Sequence, residues 1–459
     1  MNTRSSFKDS TIAIIGGGIT GLVAAQGLLA RGAQVCLLEQ SARLGGSIGS
    51  ESIDGWLVEA GPNTILDGEP VVRELVTELG LQDEVVYGSE TAKKRFIVRD
   101  GRVQAMPSSP PSLFSTKLFS WSLRLGIFKE LLQQPRVRDE DTSLAEIIRD
   151  HFGQEAVDYA LNPFVGGVYA GDPNLLSAKY SFPAIWKAEQ EKGSIIRGLM
   201  AAGKERKARG GRRPKIMSFR RGLQTLVDAL SARIPETSLH LDTAVLSVKR
   251  ENGQWRLGIH GPRGDDSMLF DQVVFAVPAH ALARIVIEGD PARTSSFADV
   301  VHPPVASLFL GYKREQITHP LDGFGVLIPG IEKRNELGVL FSSSLFPGRA
   351  PSGHVALTVM VGGMRQPEIA RLSPEALLER VRPDLEELLG VSGEPCFVRH
   401  RLWTAAIPQY NLGYGKYLER FKVLEDSCKG LHFVGNARQG IAVPNCMDAG
   451  RKMVAGLAG

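Results

Sequence analysis

Two hydrophobic rhythms divide the chain. Near the start, short apolar runs at residues 12–15 and 35–38 flank a stretch of helix formers at 22–30. Short apolar runs bounded by turn signals read as buried strands, so this segment predicts strand, helix, strand. An amphipathic pattern at 69–79 predicts a helix, and 93–98 predicts a strand led by basic residues, closed by an Asp100-Gly101 hairpin turn. At 118–132, Leu118, Trp121, Leu125, Phe128 and Leu132 fall on one helical face, with Lys117, Arg124 and Lys129 beside or opposite it. Helices are further expected at 143–152 and 222–232, and strands at 238–248, 255–259 and 269–276. From His302 onward the pattern alternates, predicting antiparallel strands at 305–312, 324–328, 339–343, 354–361 and 396–403. A helix at 374–389 crosses them, capped by Ser373, opened by Pro374 and expected to kink at Pro383. The last segment reads as an apolar strand from Leu431, then Gly435-Asn436, then a helix opening near Pro444. The fold class is therefore α/β.

Composition narrows the function classes. At 459 residues the chain holds two or three domains and a large core. A net charge of +4 is too slight to argue for nucleic acid. The basic stretch at 192–221, which includes Arg209, has almost no aromatics on which bases could stack, so nucleic acid is excluded there too. That stretch reads as a mobile, solvated linker that anionic lipid headgroups could attract. Cys36, Cys396, Cys428 and Cys446 form no C-x-x-C pair, which points to a reducing compartment. The scattered histidines offer no metal site. Residues 1–10 are polar and do not resemble a signal peptide, and no apolar run would cross a bilayer. A cytoplasmic protein is expected. The basic amphipathic stretch at 118–132 either lies on a membrane surface or packs on its own core.

The chemistry begins at Gly16, Gly18 and Gly21, a G-x-G-x-x-G between the first predicted strand and helix. The first glycine permits the tight turn, the second admits a pyrophosphate to the backbone, and the third lets helix pack on strand. The helix N-terminus offers free N–H groups to phosphates. Glu39 ends the second strand at the distance where a carboxylate accepts from ribose hydroxyls. Arg43, followed by Gly45 and Gly46, suits a second clamp on the dinucleotide, a forked donor beside backbone that can come close. Gly45-Gly46-Ser47-Ile48-Gly49 also matches the G-x-S-x-G of serine hydrolases. That motif needs a strand before it and a helix after it, and neither is evident.

Together with E-x-G-P-N (Glu59 to Asn63), these motifs resemble the FAD-binding fold shared by amine oxidases, phytoene desaturases and protoporphyrinogen oxidases. In that superfamily the R-x-G-G clamp marks FAD rather than NAD, and Gly61, Pro62 and Asn63 border the cofactor. D-Q-V-V-F-A-V-P (Asp271 to Pro278) resembles the strand by which the fold closes its second half, with Val245 on the adenine side. The resemblance implies a discontinuous Rossmann-like FAD-binding domain at 1–91, 212–300 and 412–459. It also implies a helical, membrane-binding insertion at 92–211 and an antiparallel substrate-binding sheet at 301–411. Gly435, Asn436 and Val443 would meet the flavin where the last helix points its N-terminus. G-x-Y-A-G-D (Gly167 to Asp172), I-P-Q-Y (Ile407 to Tyr410) and Gly435-Asn436 are similar to the protoporphyrinogen oxidase family in particular.

What that similarity implies is a six-electron oxidation of a porphyrinogen in haem biosynthesis. A hydride passes to flavin in each of three cycles, and molecular oxygen is the acceptor, giving hydrogen peroxide. The flavin carries the chemistry, so no catalytic dyad is expected. Gly167, Leu340 and Met360 would face the substrate, and Arg95 would pair a propionate. Coproporphyrinogen III, with four propionates where protoporphyrinogen IX has two, is the alternative substrate. A flavin amine oxidase, a flavoprotein subunit without catalysis, and assembly as a homodimer are the other expectations carried forward.

Overall fold

A computed structural model describes residues 10–138, 140–208 and 212–457. Most of the stretch read above as lacking a signal sequence, and Arg209 of the basic run, lie outside these residues. The chain gathers five segments far apart in sequence into one parallel sheet. In spatial order these are Leu239–His240, Gln34–Leu38, Thr11–Ile15, Gln272–Phe275 and Leu431–Phe433. Strands buried on both faces must be apolar throughout, as Ile12 to Ile15 and Val35 to Leu38 are. Helices Ile19–Leu29, Pro70–Glu78, Gln224–Ser231 and Val443–Leu457 cover one face. Helix Gly415–Ser427 and a small sheet that includes Ala244–Glu251 and Gln254–Gly261 cover the other.

A second sheet has seven strands, in the order Phe397–Trp403, Val305–Lys313, His354–Gly362, Glu336–Leu340, Gly323–Leu327, Lys94–Arg99 and Arg102–Ala105. Every pairing is antiparallel except that of Gly323–Leu327 with Lys94–Arg99. Helix Pro374–Leu389, capped by Ser373, continues through Pro383 and seals one face with Leu377, Val381, Leu385 and Leu389. The Asp100-Gly101 turn forms as expected, both residues having positive φ (+53° and +70°).

Four boundaries differ from the sequence pattern. The strand expected at 238–248 breaks at Asp242, whose φ is +50°, and its halves join different sheets. The run at 269–276 likewise splits around Asp271, whose carboxylate accepts from the Thr11 N–H (2.8 Å) and hydroxyl (2.9 Å). The strand expected at 339–343 ends at Leu340, where helix Ser342–Leu345 begins. The basic stretch is not a linker: Ile195–Ala208 is helix and Ile216–Phe219 is strand.

Helices between Pro110 and Ala208 form a third layer around Leu144, Ile147, Val165 and Leu176. Buried charge ties them together. The two ring nitrogens of His151 lie 3.1 Å from carboxylate oxygens of Glu130 and Glu189, and Arg138 grips Glu189 with two bonds of 2.8 Å. Burial works against the Glu189 anion, yet His151 and Arg138 hold its pKa below the usual carboxylate range. This network decides how helix Trp121–Glu130 sits. Leu123, Arg124 and Glu130 turn inward, so Trp121, Leu125 and Leu132 stand 65%, 59% and 79% exposed and Phe128 faces out with them. Leu118, expected on that face, is instead fully buried.

Candidate functional site

The glycine turn is built by contact. A Cβ on Gly16, which has φ +106°, would lie 2.8 Å from the Ala276 carbonyl oxygen. One on Gly21 would press into the Gly16 carbonyl, with Ile14 Cγ2 at 3.3 Å. Gly18 differs, because a Cβ there would meet no atom within 4 Å. It stands at the N-cap of the first helix, and a Cβ on Gly46 of the neighbouring loop would lie 3.3 Å from the Gly18 Cα. Backbone at this turn is therefore bare where a phosphate would approach.

Glu39 is 8% exposed and fastens the turn to the second strand. Its carboxylate accepts from Gly17 N (2.7 Å), Ser41 N (2.9 Å) and Ser41 Oγ (2.7 Å). Gly45 N donates to Gly17 O at 2.8 Å, drawing the R-x-G-G loop alongside. Arg43 shapes that loop from within, donating to Gly46 O (2.6 Å), Ile48 O (2.8 Å) and Leu44 O (3.2 Å). Burial lowers its pKa, and nearby Arg401 adds to the effect.

Gly61 packs against Ser47 of the same loop, and Asn63 Nδ2 donates back to Gly61 O (3.1 Å), holding the G-P-N turn around Pro62. Gly435, with φ +113°, leaves its Cβ direction facing Thr20 Oγ1, in the first turn of the opening helix. Asn436 follows it, and Val443 begins the last helix, which packs on that opening helix through Gly450. Val245 packs with Cys36 and Leu38 on the far side of the sheet. Gly16, Gly18, Gly21, Glu39, Arg43, Gly45, Gly46, Gly61, Pro62, Asn63, Gly435, Asn436 and Val443 thus converge on the carboxyl ends of the parallel strands, where open α/β sheets bind dinucleotides. The bare Gly18 backbone, the helix N-terminus and the fixed Glu39 carboxylate fit FAD in its pyrophosphate and ribose parts.

The predicted substrate residues meet on the seven-stranded sheet. Phe96, Val98, Val339, Phe341, Val359 and Val361 face helix Pro374–Leu389, so by the two-residue alternation Arg95, Leu340 and Met360 face the opposite way. Leu340 and Met360 lie on paired strands, and the Arg95 strand is two spacings, about 10 Å, from that of Leu340. Helix Asn162–Tyr169 rests on the same face. A Cβ at Gly167 would strike Leu327. The Arg95 guanidinium sits 5.3 Å from the Phe324 ring centroid and has no ion-pair partner among the described residues.

Sequence reasoning assigned no role to three side chains here. Arg349 is 3% exposed and lies 3.4 Å from Glu59, with Ser218 Oγ accepting from it at 2.7 Å. Burial lowers the Arg349 pKa and raises that of Glu59, while Ser50 and Arg349 oppose the rise. A cavity of about 10 Å³, room for one water, joins Glu59, Asn63, Leu340 and Arg349, whose buried Nη1 has no hydrogen-bond partner among the described residues. Trp403 donates its indole N–H to Ala60 O at 2.7 Å, linking the sheet to the G-P-N turn. The Tyr410 hydroxyl reaches the Asn436 segment. F-P-G-R and the residues around Trp403 carry no local signal of these contacts, which are made across hundreds of residues. Only I-P-Q-Y marked Tyr410.

A family model described as flavin containing amine oxidoreductase matches residues 19–457. Protoporphyrinogen oxidase 2, chloroplastic/mitochondrial, of Arabidopsis thaliana is 34% identical over 469 residues, covering 96% of this chain and 92% of that protein. Coproporphyrinogen III oxidase of Bacillus subtilis (strain 168) is 26% identical over 460 residues, covering 96% and 97%. A crystal structure from Exiguobacterium sp. 255-15, assigned to protoporphyrinogen oxidase, has a TM-score of 0.83 at 22% identity over 98% of this chain and 99% of that one, a shared fold.

Proposed function

The chain belongs to the flavin-containing amine oxidoreductases, and from that premise we propose that it is an FAD-dependent porphyrinogen oxidase converting protoporphyrinogen IX to protoporphyrin IX. The observation that carries the choice is the higher identity to a protoporphyrinogen oxidase than to a coproporphyrinogen III oxidase, over the same share of this chain. Coproporphyrinogen III is the second reading. An amine oxidase is disfavoured because the segment from Gly435 to Ala449 contains no aromatic residue with which to cage an amine beside the flavin.

FAD bound along the glycine crevice supplies two-electron acceptor chemistry, and three turnovers account for six electrons, with three molecules of oxygen leaving as hydrogen peroxide. Gly18 admits its pyrophosphate to backbone, Gly16 and Gly21 hold the turn and the helix start that face it, Glu39 accepts from its ribose, and Arg43 keeps the second loop shaped against it. Arg95 pairs a propionate with a permanently charged, forked donor. Leu340 and Met360 give the ring an apolar floor that excludes water, and Gly167 lets the overlying helix close on the sheet. Holding a reactive carbon near its acceptor is the protein's main contribution.

We also propose a peripheral membrane contact on the cytoplasmic side. Trp121, Leu125 and Leu132 are exposed on one helix face, and Arg197 donates to Gln133 O, bringing the helix of Lys204, Arg206 and Lys207 beside it. No helix among the described residues is long and apolar enough to cross a membrane. A homodimer burying that face is the competing arrangement, and light scattering with and without vesicles separates the two.

The deciding experiment mixes purified holoprotein anaerobically with each porphyrinogen and follows the flavin absorbance. Faster bleaching by protoporphyrinogen IX is expected. Faster bleaching by coproporphyrinogen III selects the second reading, and bleaching by neither overturns both.

A further inference from the structure

The segment from Ile407 to Tyr414 is a strap joined to three parts of the molecule. Gln409 N donates to Val301 O (2.9 Å), in the lead-in to the seven-stranded sheet. Its Nε2 donates to Tyr169 O (2.9 Å). The Tyr410 carbonyl accepts from Ser177 N (2.9 Å) and Ser181 Oγ (3.1 Å), and Leu412 N donates to Leu175 O (2.8 Å). These bonds fix the strap to the helical layer that carries Gly167. The side chain of Tyr410 points the other way. Its hydroxyl donates to Asn436 O (2.5 Å) and accepts from Gly440 N (3.0 Å). Tyr414, stacked on it, donates to Ala437 O (2.7 Å). Tyr410 is 7% exposed, and burial raises its pKa well above that of a free phenol, so the hydroxyl stays a neutral donor and acceptor. The loop between Asn436 and Gly440 leads into helix Val443–Leu457.

We propose that Tyr410 is a positioning residue: its hydroxyl, bridging Asn436 O and Gly440 N, sets the loop that aims the last helix at the flavin and couples that loop to the helical layer on the substrate side. This rests on FAD occupying the crevice described above with its flavin at the N-terminus of the last helix, the placement that the family resemblance implies. A helix N-terminus held close to the flavin favours the negatively charged reduced form. Loss of the bridge leaves the Gly440 N–H and the Asn436 carbonyl to find new partners, and the loop relaxes away.

The test measures the flavin reduction potential of holoprotein against redox dyes for the parent, Tyr410→Phe and Tyr414→Phe. Phenylalanine keeps the ring stack at either position, but only the first removes the bridge to Gly440. Tyr410→Phe is expected to disfavour reduction about tenfold, a potential more negative by about 30 mV for a two-electron couple. Tyr414→Phe is expected to shift the equilibrium less than about threefold, roughly 15 mV on the same scale. An unchanged potential in Tyr410→Phe, or equal shifts in both variants, overturns the proposal. If Tyr410→Phe does not retain FAD, the apoprotein decides. Weaker FAD binding with unchanged melting supports the proposal, and parallel loss of melting temperature overturns it. The potential needs no porphyrinogen, so failure of the substrate reading leaves this result standing.

Discussion

Replacing Gly18 by alanine separates what the cofactor requires from what the fold requires. Gly18 has φ −70°, which alanine adopts freely, and the added Cβ meets no protein atom within 4 Å. Restricting the unfolded chain stabilises by about 0.4–1 kcal/mol, and alanine at a helix N-cap costs a similar amount, so the apoprotein should melt unchanged. The methyl group instead fills open space beside the helix N-terminus. A phosphate oxygen held at about 2.9 Å from a backbone N–H must then retreat, losing one charge-assisted bond of about 1.5–3 kcal/mol. FAD affinity should fall about 10- to 150-fold. Gly21→Ala is the contrast. Its Cβ would sit 3.2 Å from the Gly16 carbonyl carbon, closer still to the oxygen, and 3.3 Å from Ile14 Cγ2. Overpacking of this kind costs about 1–3 kcal/mol in the apoprotein itself. Fluorescence titration of deflavinated protein with FAD, beside thermal melts of the same samples, reads both quantities. FAD binding by Gly18→Ala within about twofold of the parent, or equal losses of melting temperature in both variants, would refute the reasoning.

Three other outcomes are expected. Arg95→Ala should lower kcat/KM for the porphyrinogen about tenfold, chiefly through KM, with the flavin spectrum unchanged; an unaltered KM removes Arg95 from the site. Glu336 is fully buried, and burial, reinforced by Asp384, pushes its pKa up from 4.5 to about 9. The folded state therefore keeps a proton that the unfolded chain releases, and its stability falls as pH rises between those values. Glu336→Gln should gain on the parent by up to about 1.4 kcal/mol per pH unit from pH 5 toward pH 9 in denaturant titrations, and a constant difference would contradict the assignment. Leu125→Ser combined with Leu132→Ser should reduce co-sedimentation with anionic phospholipid vesicles at least about tenfold while leaving thermal stability unchanged. Undiminished binding would move the membrane contact elsewhere.

What the sequence by itself determined was the nucleotide half of the molecule. Gly16 to Gly46 is a local construction: turn, helix start and acid lie within about one βαβ length and their spacing alone reveals them, although the contact that closes on Gly16 comes from Ala276. Periodicity likewise placed the Pro374–Leu389 helix and its Ser373 cap, because those signals are internal to the segment. Tertiary structure decided what local pattern could not. The stripe of Trp121, Leu125 and Leu132 has the period of a core-facing helix, yet it faces out because Leu123, Arg124 and Glu130 occupy the inner side. The run at 269–276 is continuous in hydrophobicity but divides between two sheets, since Asp271 is taken by Thr11 from 260 residues away. The shared face of Arg95, Leu340 and Met360 depends on strand order, which brings residue 95 near residue 340 by a parallel pairing with Gly323–Leu327. The Arg349–Glu59 pair and the Tyr410 bridge exist only once distant segments meet. Periodicity reports one-dimensional amphipathicity, and which neighbour satisfies an apolar stripe, a buried charge or a hydroxyl is settled by what the rest of the chain brings to it.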